Sequence, residues 1–221
     1  MTPDFNFIAR LYYPLSRLVF GSSQIRAQEA FLHLVLPQNR ILVVGGGNGH
    51  FLRYFGKPHT NTPEFFFIEP APDMMTMARE EAPSSLHIHF IQTTVEQFLS
   101  SSKLNFDVVI TPFFFDLFPQ SKADSLFSTI NANLKPGGLW LDTDFQLVSG
   151  SIWWQAVLLK MMYAFFRKIS NVKASALPDM MTHWQAKYKL SDSRIFYGGF
   201  IITRVWQKNM REEASIFNKD C

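Results

Sequence analysis

Two short stretches of this chain could hold a small polar ligand between them. In Ile41-Leu42-Val43-Val44-Gly45-Gly46-Gly47-Asn48-Gly49-His50, an apolar run stops at a glycine cluster. Such a run reads as a buried parallel strand that turns sharply into a helix. Gly45, Gly47 and Gly49 let the backbone pass where a Cβ would collide, so a flat, polar ligand can lie against bare amides at a helix N-terminus. About twenty residues later a second apolar run, Phe65-Phe66-Phe67-Ile68, ends in Glu69, whose carboxylate could accept hydrogen bonds from two ribose hydroxyls. A glycine loop after an apolar strand is often only a tight turn, so the acidic strand end is what makes this a nucleoside site. The dinucleotide fingerprint would need a third glycine where His50 stands.

The rest of the chain must position these two stretches. At 221 residues it suits one α/β domain with a full core, 1–221, and is short for two. Hydrophobic residues make up 47%, with 23 phenylalanines, which points to an apolar pocket or partner unless phenylalanine merely replaces leucine in the core. The net charge of +3 comes from scattered Lys and Arg with no basic stripe, so no nucleic-acid partner is expected. Cys221 is the single cysteine and cannot close an intrachain bridge, consistent with a reducing compartment. Asp4, Arg10 and Arg17 break any signal-peptide core, and no long uncharged apolar stretch follows. A cytoplasmic protein without a transmembrane segment is the expectation.

Residues 1–38 read as an N-terminal helical cap. The spacing predicts one helix around Phe5 to Phe20, kinked at Pro14, and a second capped by Ser22 or Ser23, with Ile25, Ala30, Phe31, Leu34 and Val35 facing inward before Pro37. After the glycine loop, His50 to Lys57 reads as a helix. Pro72 and Asp73 open another that carries Met74, Met75, Met77 and Ala78. Strand His87-Ile88-His89-Phe90-Ile91 puts both histidines on one face, but no Cys, Asp or Glu accompanies them at ligand spacing, so no metal site is expected. Phe106 to Ile110 is a fourth strand, followed by Thr111-Pro112-Phe113-Phe114-Phe115-Asp116, and Lys122 to Leu134 is helical. Leu134-Lys135-Pro136-Gly137-Gly138 then turns into strand Leu139-Trp140-Leu141. Arg194 to Tyr197 and Phe200 to Trp206, joined at Gly198-Gly199, read as a hairpin.

Taken in order, the glycine loop, Glu69, the fourth strand with its loop, and the Pro136-Gly137-Gly138 turn resemble the class I S-adenosylmethionine-dependent methyltransferases over roughly residues 40 to 207. The resemblance implies a Rossmann-like α/β fold: a seven-stranded, mostly parallel sheet with an antiparallel C-terminal strand and helices on both faces. It implies S-adenosyl-L-methionine as cofactor, held by Gly45, Gly46, Gly47, Gly49, Glu69, Pro70, Met74, Thr94, Val95 and Thr111, with the N-terminal helices often forming a lid. Thr94 stands where members often carry an aspartate, and Val43 where most place an acidic residue. The V-V-G-G-G-N-G loop is also similar to that of spermidine-synthase-like aminopropyltransferases, but the acids those enzymes carry after the fourth strand are replaced by Thr111-Pro112-Phe113. A non-catalytic cofactor-binding protein is a third reading.

A sulfonium methyl group is already electrophilic, so the protein has mainly to align a nucleophile and exclude water. A base is optional; Asp116, Asp144 and His183 are the candidates for one. Phe113 to Phe115 would line the pocket of a small, apolar or aromatic acceptor. Residues 151–190 read as a helical insertion with a broad apolar face (Trp153, Trp154, Val157, Leu158, Met161, Met162, Phe165, Phe166) that is expected to cover the acceptor site, with a homodimer or a membrane surface as the alternatives.

Overall fold

The computed structural model describes residues 16–56, 62–147, 153–170, 174 and 176–210. Residues 5–15 of the first predicted helix and the terminal Cys221 lie outside the described residues, while 16–20 are helical. Helix α1 (Ser23–Glu29) follows, with Ser22 at its N-cap position but no hydrogen bond from that side chain. The chain then alternates: β1 (Arg40–Val44), β2 (Glu64–Ile68), α2 (Pro72–Glu81), β3 (His87–Ile91), α3 (Val95–Ser101), β4 (Phe106–Pro112), α4 (Gln120–Asn133) and β5 (Leu134–Phe145). Helices α5 (Trp153–Ser170) and α6 (Met181–Lys187) precede the hairpin of β6 (Tyr188–Phe196) and β7 (Ile201–Lys208).

The seven strands form one sheet in the order β3-β2-β1-β4-β5-β7-β6. Strand β7 runs antiparallel to both β5 and β6, and the other strands are parallel to one another. Alternation along β1 explains why four consecutive apolar residues were needed there. Leu42 and Val44 enter one core layer with Phe66, Val109 and Trp140, while Ile41 and Val43 enter the other with Phe65, Phe67 and Val108. The strand order reverses between β1 and β4, which leaves a crevice at their carboxyl ends.

Four boundaries differ from the sequence reading. The helix expected to run up to Pro37 ends at Glu29, and Leu32–Leu34 form a separate 3-10 turn. The stretch after the glycine loop is a short 3-10 helix, His50–Phe55, which ends at Gly56 after about two turns. The bare amides of the loop therefore do not open a long helix. Strand β5 starts at Leu134, so the Pro136-Gly137-Gly138 turn is an irregular stretch within the strand, with Gly137 at φ 75°. The hairpin's first strand is longer than expected and begins at Tyr188.

Packing divides the apolar face of α5. Leu159 and Tyr163 are buried against Phe20, Phe145 and Phe200, whereas Trp153, Val157 and Met161 stay exposed. Among the described residues no helix is long and apolar enough to cross a membrane. The short α6 docks through Trp184, which is 1% exposed, stacks flat on Trp206 at 5.2 Å and meets Trp140 edge-on at 4.8 Å. Truncating it leaves a cavity that rigid neighbouring rings cannot fill. Trp184→Ala is expected to lower the unfolding free energy by about 3–5 kcal/mol in urea denaturation, and a loss below about 1 kcal/mol would show that α6 is not part of the cooperative core.

Candidate active site

The crevice at the carboxyl ends of β1, β2 and β4 is an open cavity, and register explains what stands around it. Val44 pairs with Ile68, so the next residues, Gly45 and Glu69, leave their strands side by side. Gly45 N–H donates to the Ile68 carbonyl at 3.0 Å. Glu69 then reaches back across the gap: Oε2 accepts the Gly47 N–H at 3.0 Å and Oε1 accepts the Ala71 N–H at 2.9 Å. The side chain is only 5% exposed, and burial pushes its pKa up to about 7, partly offset by the two amide donors.

The glycines divide by task. Gly47, at φ 57°, has nothing within 4 Å of where a Cβ would stand, so its open side faces the cavity. A Cβ on Gly46 would collide with the Phe67 ring, and one on Gly45 would meet Phe114 Cδ2 at 2.7 Å. Gly49 does not line the cavity; its missing Cβ leaves room for Ala78 of α2, at 2.9 Å. Three of the four glycines at these positions, Gly45, Gly46 and Gly49, thus make room for a neighbouring side chain, which sequence cannot distinguish from ligand contact.

The opposite wall comes from the loop after β4. Phe113 is held at φ 54°, a left-handed conformation unfavourable for a residue with a ring, while its N–H donates to the Thr143 carbonyl at 2.6 Å. This turn sends Phe113, Phe114 and Phe118 to the cavity, whereas Phe115 points the other way, 6.1 Å from Trp140 and 1% exposed. Asp116 is on the cavity wall as well. Residues 16–28 close the mouth with Ser16, Arg17, Gln24, Ile25 and Gln28. They are tied to the C-terminal hairpin: Tyr197 Oη donates to the Val19 carbonyl at 2.6 Å and Thr203 Oγ1 to the Ala27 carbonyl at 2.8 Å. Helix α5 contributes no residue to this wall among those described. It acts from behind, where the Tyr163 hydroxyl donates to the Asp116 carbonyl at 3.2 Å.

Residues 41–138 match the family model described as a methyltransferase domain. The fold is that of the class I methyltransferases, and residues 41–138 resemble their cofactor-binding portion. The sequence has no match among curated proteins. Solved structures share the fold at low identity. The mitomycin 7-O-methyltransferase MmcR aligns with a TM-score of 0.64 at 11% identity over 93% of this chain and 60% of its own. The Burkholderia thailandensis 1,6-didemethyltoxoflavin-N1-methyltransferase, solved with 1,6-didemethyltoxoflavin and S-adenosylhomocysteine, gives 0.60 at 13% identity over 93% and 84%. The putative methyltransferase in complex with the Haloferax volcanii Trm112 activator gives 0.64 at 11% identity over 93% and 97%. The chain thus spans about three fifths of the length of MmcR.

Within the methyltransferase fold, Gly45, Gly46, Gly47, Glu69, Pro70 and Met74 stand together on the cavity wall. Thr94 and Val95 do not line it. Thr94 is spent on the N-terminus of α3, where its hydroxyl accepts the Gln97 N–H at 3.3 Å and the Gln97 side chain returns to the Thr94 N–H. Thr111 is fully buried between strands, donating to Asp142 Oδ1 at 3.1 Å and accepting from Trp140 Nε1 at 2.9 Å. Asp144 lies behind Asp116 rather than on the wall, and its Oδ2 accepts the Asp116 N–H at 3.2 Å. His183 is elsewhere, 2.8 Å from Asp124 and stacked on Phe127. Asp107 is at the far end of β4, where it accepts the Arg40 N–H at 2.8 Å and pairs with Lys135 at 2.6 Å.

Sequence reasoning missed two things here. Asp142 and Asp144 both turn into the interior, a pairing that the alternation Asp142-Thr143-Asp144 in a strand could have signalled. It also found no carboxylate near His87 and His89, yet the β2–β3 register sets Glu64 opposite His87, and the three ligand atoms lie within 4.8 Å of one another. Glu64 is already engaged there, in an ion pair with Arg40 at 2.9 Å and a hydrogen bond with His89 at 3.1 Å, which accounts for its position.

Two measurements follow from the loop. Gly46→Ala must displace a buried ring and is expected to cost about 1–3 kcal/mol of stability in urea denaturation; an unchanged midpoint would mean the Phe67 ring moves freely. Because the folded pKa of Glu69 is raised from 4.5 to about 7, the native state holds an extra proton in that window, so this group's contribution is fully present below pH 4.5 and is lost as pH rises through 7. Relative to Glu69→Gln, the wild-type protein should therefore lose stability as pH rises from 4.5 to about 7 in paired melts and change little beyond. A constant difference would show that the carboxyl titrates normally.

Proposed function

We propose that this chain transfers the methyl group of S-adenosyl-L-methionine to a small apolar or aromatic acceptor. The observation that carries the reading is the Glu69 carboxylate, placed by strand register against the Gly47 amide and beside the loop's open side. A buried acceptor next to exposed main chain suits a ribose, whose vicinal hydroxyls both donate. Pro70 and Met74 offer an apolar surface to the adenine, and Gly45 and Gly46 complete the bend. The cofactor supplies an electrophilic methyl on sulfur. What the protein adds is alignment and a dry cavity, for which Phe113, Phe114, Leu117, Phe118 and Phe145 form an apolar wall.

Residues 16–28 serve in this reading as the cap over the cavity, while α5, expected to cover the acceptor, instead supports the Asp116 loop through Tyr163. The mitomycin and didemethyltoxoflavin enzymes are, by name, methyltransferases acting on oxygen and nitrogen of small molecules, which supports a small acceptor here.

Isothermal titration tests the assignment without knowledge of the acceptor. S-adenosylmethionine and S-adenosylhomocysteine are expected to bind in the micromolar range, and Glu69→Ala should weaken both by about 1–3 kcal/mol through loss of a buried charged acceptor. Undetectable binding, or an affinity untouched by the substitution, would remove the basis of the assignment. Binding confined to decarboxylated S-adenosylmethionine would instead indicate aminopropyl transfer.

A further inference from the structure

Three carboxylates crowd the interior beside the cavity. Asp116, Asp142 and Asp144 are 4%, 3% and 9% exposed. Two of them are provided for. Asp142 accepts the Thr111 hydroxyl and faces Arg204 at 3.8 Å, and Asp144 accepts the N–H groups of Asp116 and Phe145 at 3.2 and 2.8 Å. Both line a second cavity, on the side of Met180, Trp184 and Arg204. Asp116 differs on both counts: its Oδ1 is buried with no hydrogen-bond partner among the described residues, and it stands on the wall of the cavity that holds Gly47 and Glu69. Interiors seldom leave a carboxyl oxygen unserved, because burial without a donor is costly.

The surroundings define what could serve it. Phe113, Phe114, Leu117, Phe118 and Phe145 make that part of the wall apolar and largely aromatic. Tyr163 donates to the Asp116 backbone carbonyl, not to the carboxyl, so the loop is held while the side chain keeps its capacity. The Asp116 carboxylate, with Asp142 close behind it, would repel negative charge on a ligand at this spot.

Building on the methyl-transfer reading above, we propose that the acceptor is a flat apolar or aromatic molecule, uncharged or cationic, carrying an O–H or N–H that donates to the free Asp116 carboxylate, and that this carboxylate takes the proton during transfer. A lone pair on the acceptor atom forms the bond to the methyl carbon. The carbon–sulfur bond breaks, its electron pair stays on sulfur as a neutral thioether, and the acceptor's proton passes to Asp116. Positive sulfonium and negative carboxylate are both neutralised in the same step, so a neutral acceptor leaves as a neutral product. Burial and the neighbouring Asp142 raise the proton affinity of Asp116, which suits it to receive that proton.

The test uses the wild-type protein with and without S-adenosylhomocysteine, titrated with 2-naphthol, 2-methoxynaphthalene and 2-naphthoate. The naphthol is expected to bind at least tenfold more tightly than its methyl ether, which lacks the donor, and the naphthoate not to bind. Asp116→Leu should erase the preference for the naphthol, and Asp116→Asn should admit the naphthoate. Equal affinity for naphthol and ether, failure of both to bind, or a preference that survives Asp116→Leu would overturn the proposal. Absence of S-adenosylhomocysteine binding alongside an intact naphthol preference would instead strike the methyl-transfer reading, and with it the proton-transfer step, while leaving the donor-recognition site in place.

Discussion

The site depends on one buried carboxylate tied to main chain. Glu69 ends β2 beside the bend that follows β1, and its two oxygens hold the N–H groups of Gly47 and Ala71. Burying this group costs solvation, and the two amide donors return part of that cost. The arrangement exists because β1 and β2 are parallel and in a register that brings Gly45 and Glu69 out of the sheet together. A shift of one residue would turn Glu69 to the other face and leave the bend without its acceptor.

The walls of the cavity answer to a second constraint, which is that aromatic rings fill the space around an acidic interior. The loop after β4 is bent by the left-handed Phe113, so that alternate phenylalanines serve opposite sides: Phe114 lies over Gly45, while Phe115 joins the cluster of Trp140, Phe127 and Trp184. The abundance of phenylalanine therefore has two uses here, one in the core and one at the cavity. The three interior aspartates meet because Pro112 pairs with Thr143 across β4 and β5, so the loop leaving β4 sets Asp116 beside Asp144 near the end of β5.

The cap illustrates how distant parts of the chain close a site. Residues 16–28 come first in the described chain, but they are fastened to the last strands through Tyr197 and Thr203 and reach the cavity mouth from there. Helix α5 works at one remove, supporting the Asp116 loop through Tyr163.

What the sequence determined by itself was local or periodic. The apolar runs ending at Gly45 and Glu69 specified buried parallel strands and a nucleoside-type bend, since main-chain sterics and alternation operate within a few residues. The order of such runs specified the α/β fold and the family resemblance. Tertiary structure alone decided which glycines face the cavity and which admit Phe67 or Ala78, because that depends on what packs opposite a missing Cβ. It also withdrew Thr94, Thr111 and His183 from the cavity, by giving each a nearer partner in a helix cap, a strand neighbour or a surface aspartate. Asp116 and Asp144, far apart from Glu69 in the chain, became neighbours of one another only through pairing of β4 with β5, a long-range contact that no local pattern encodes.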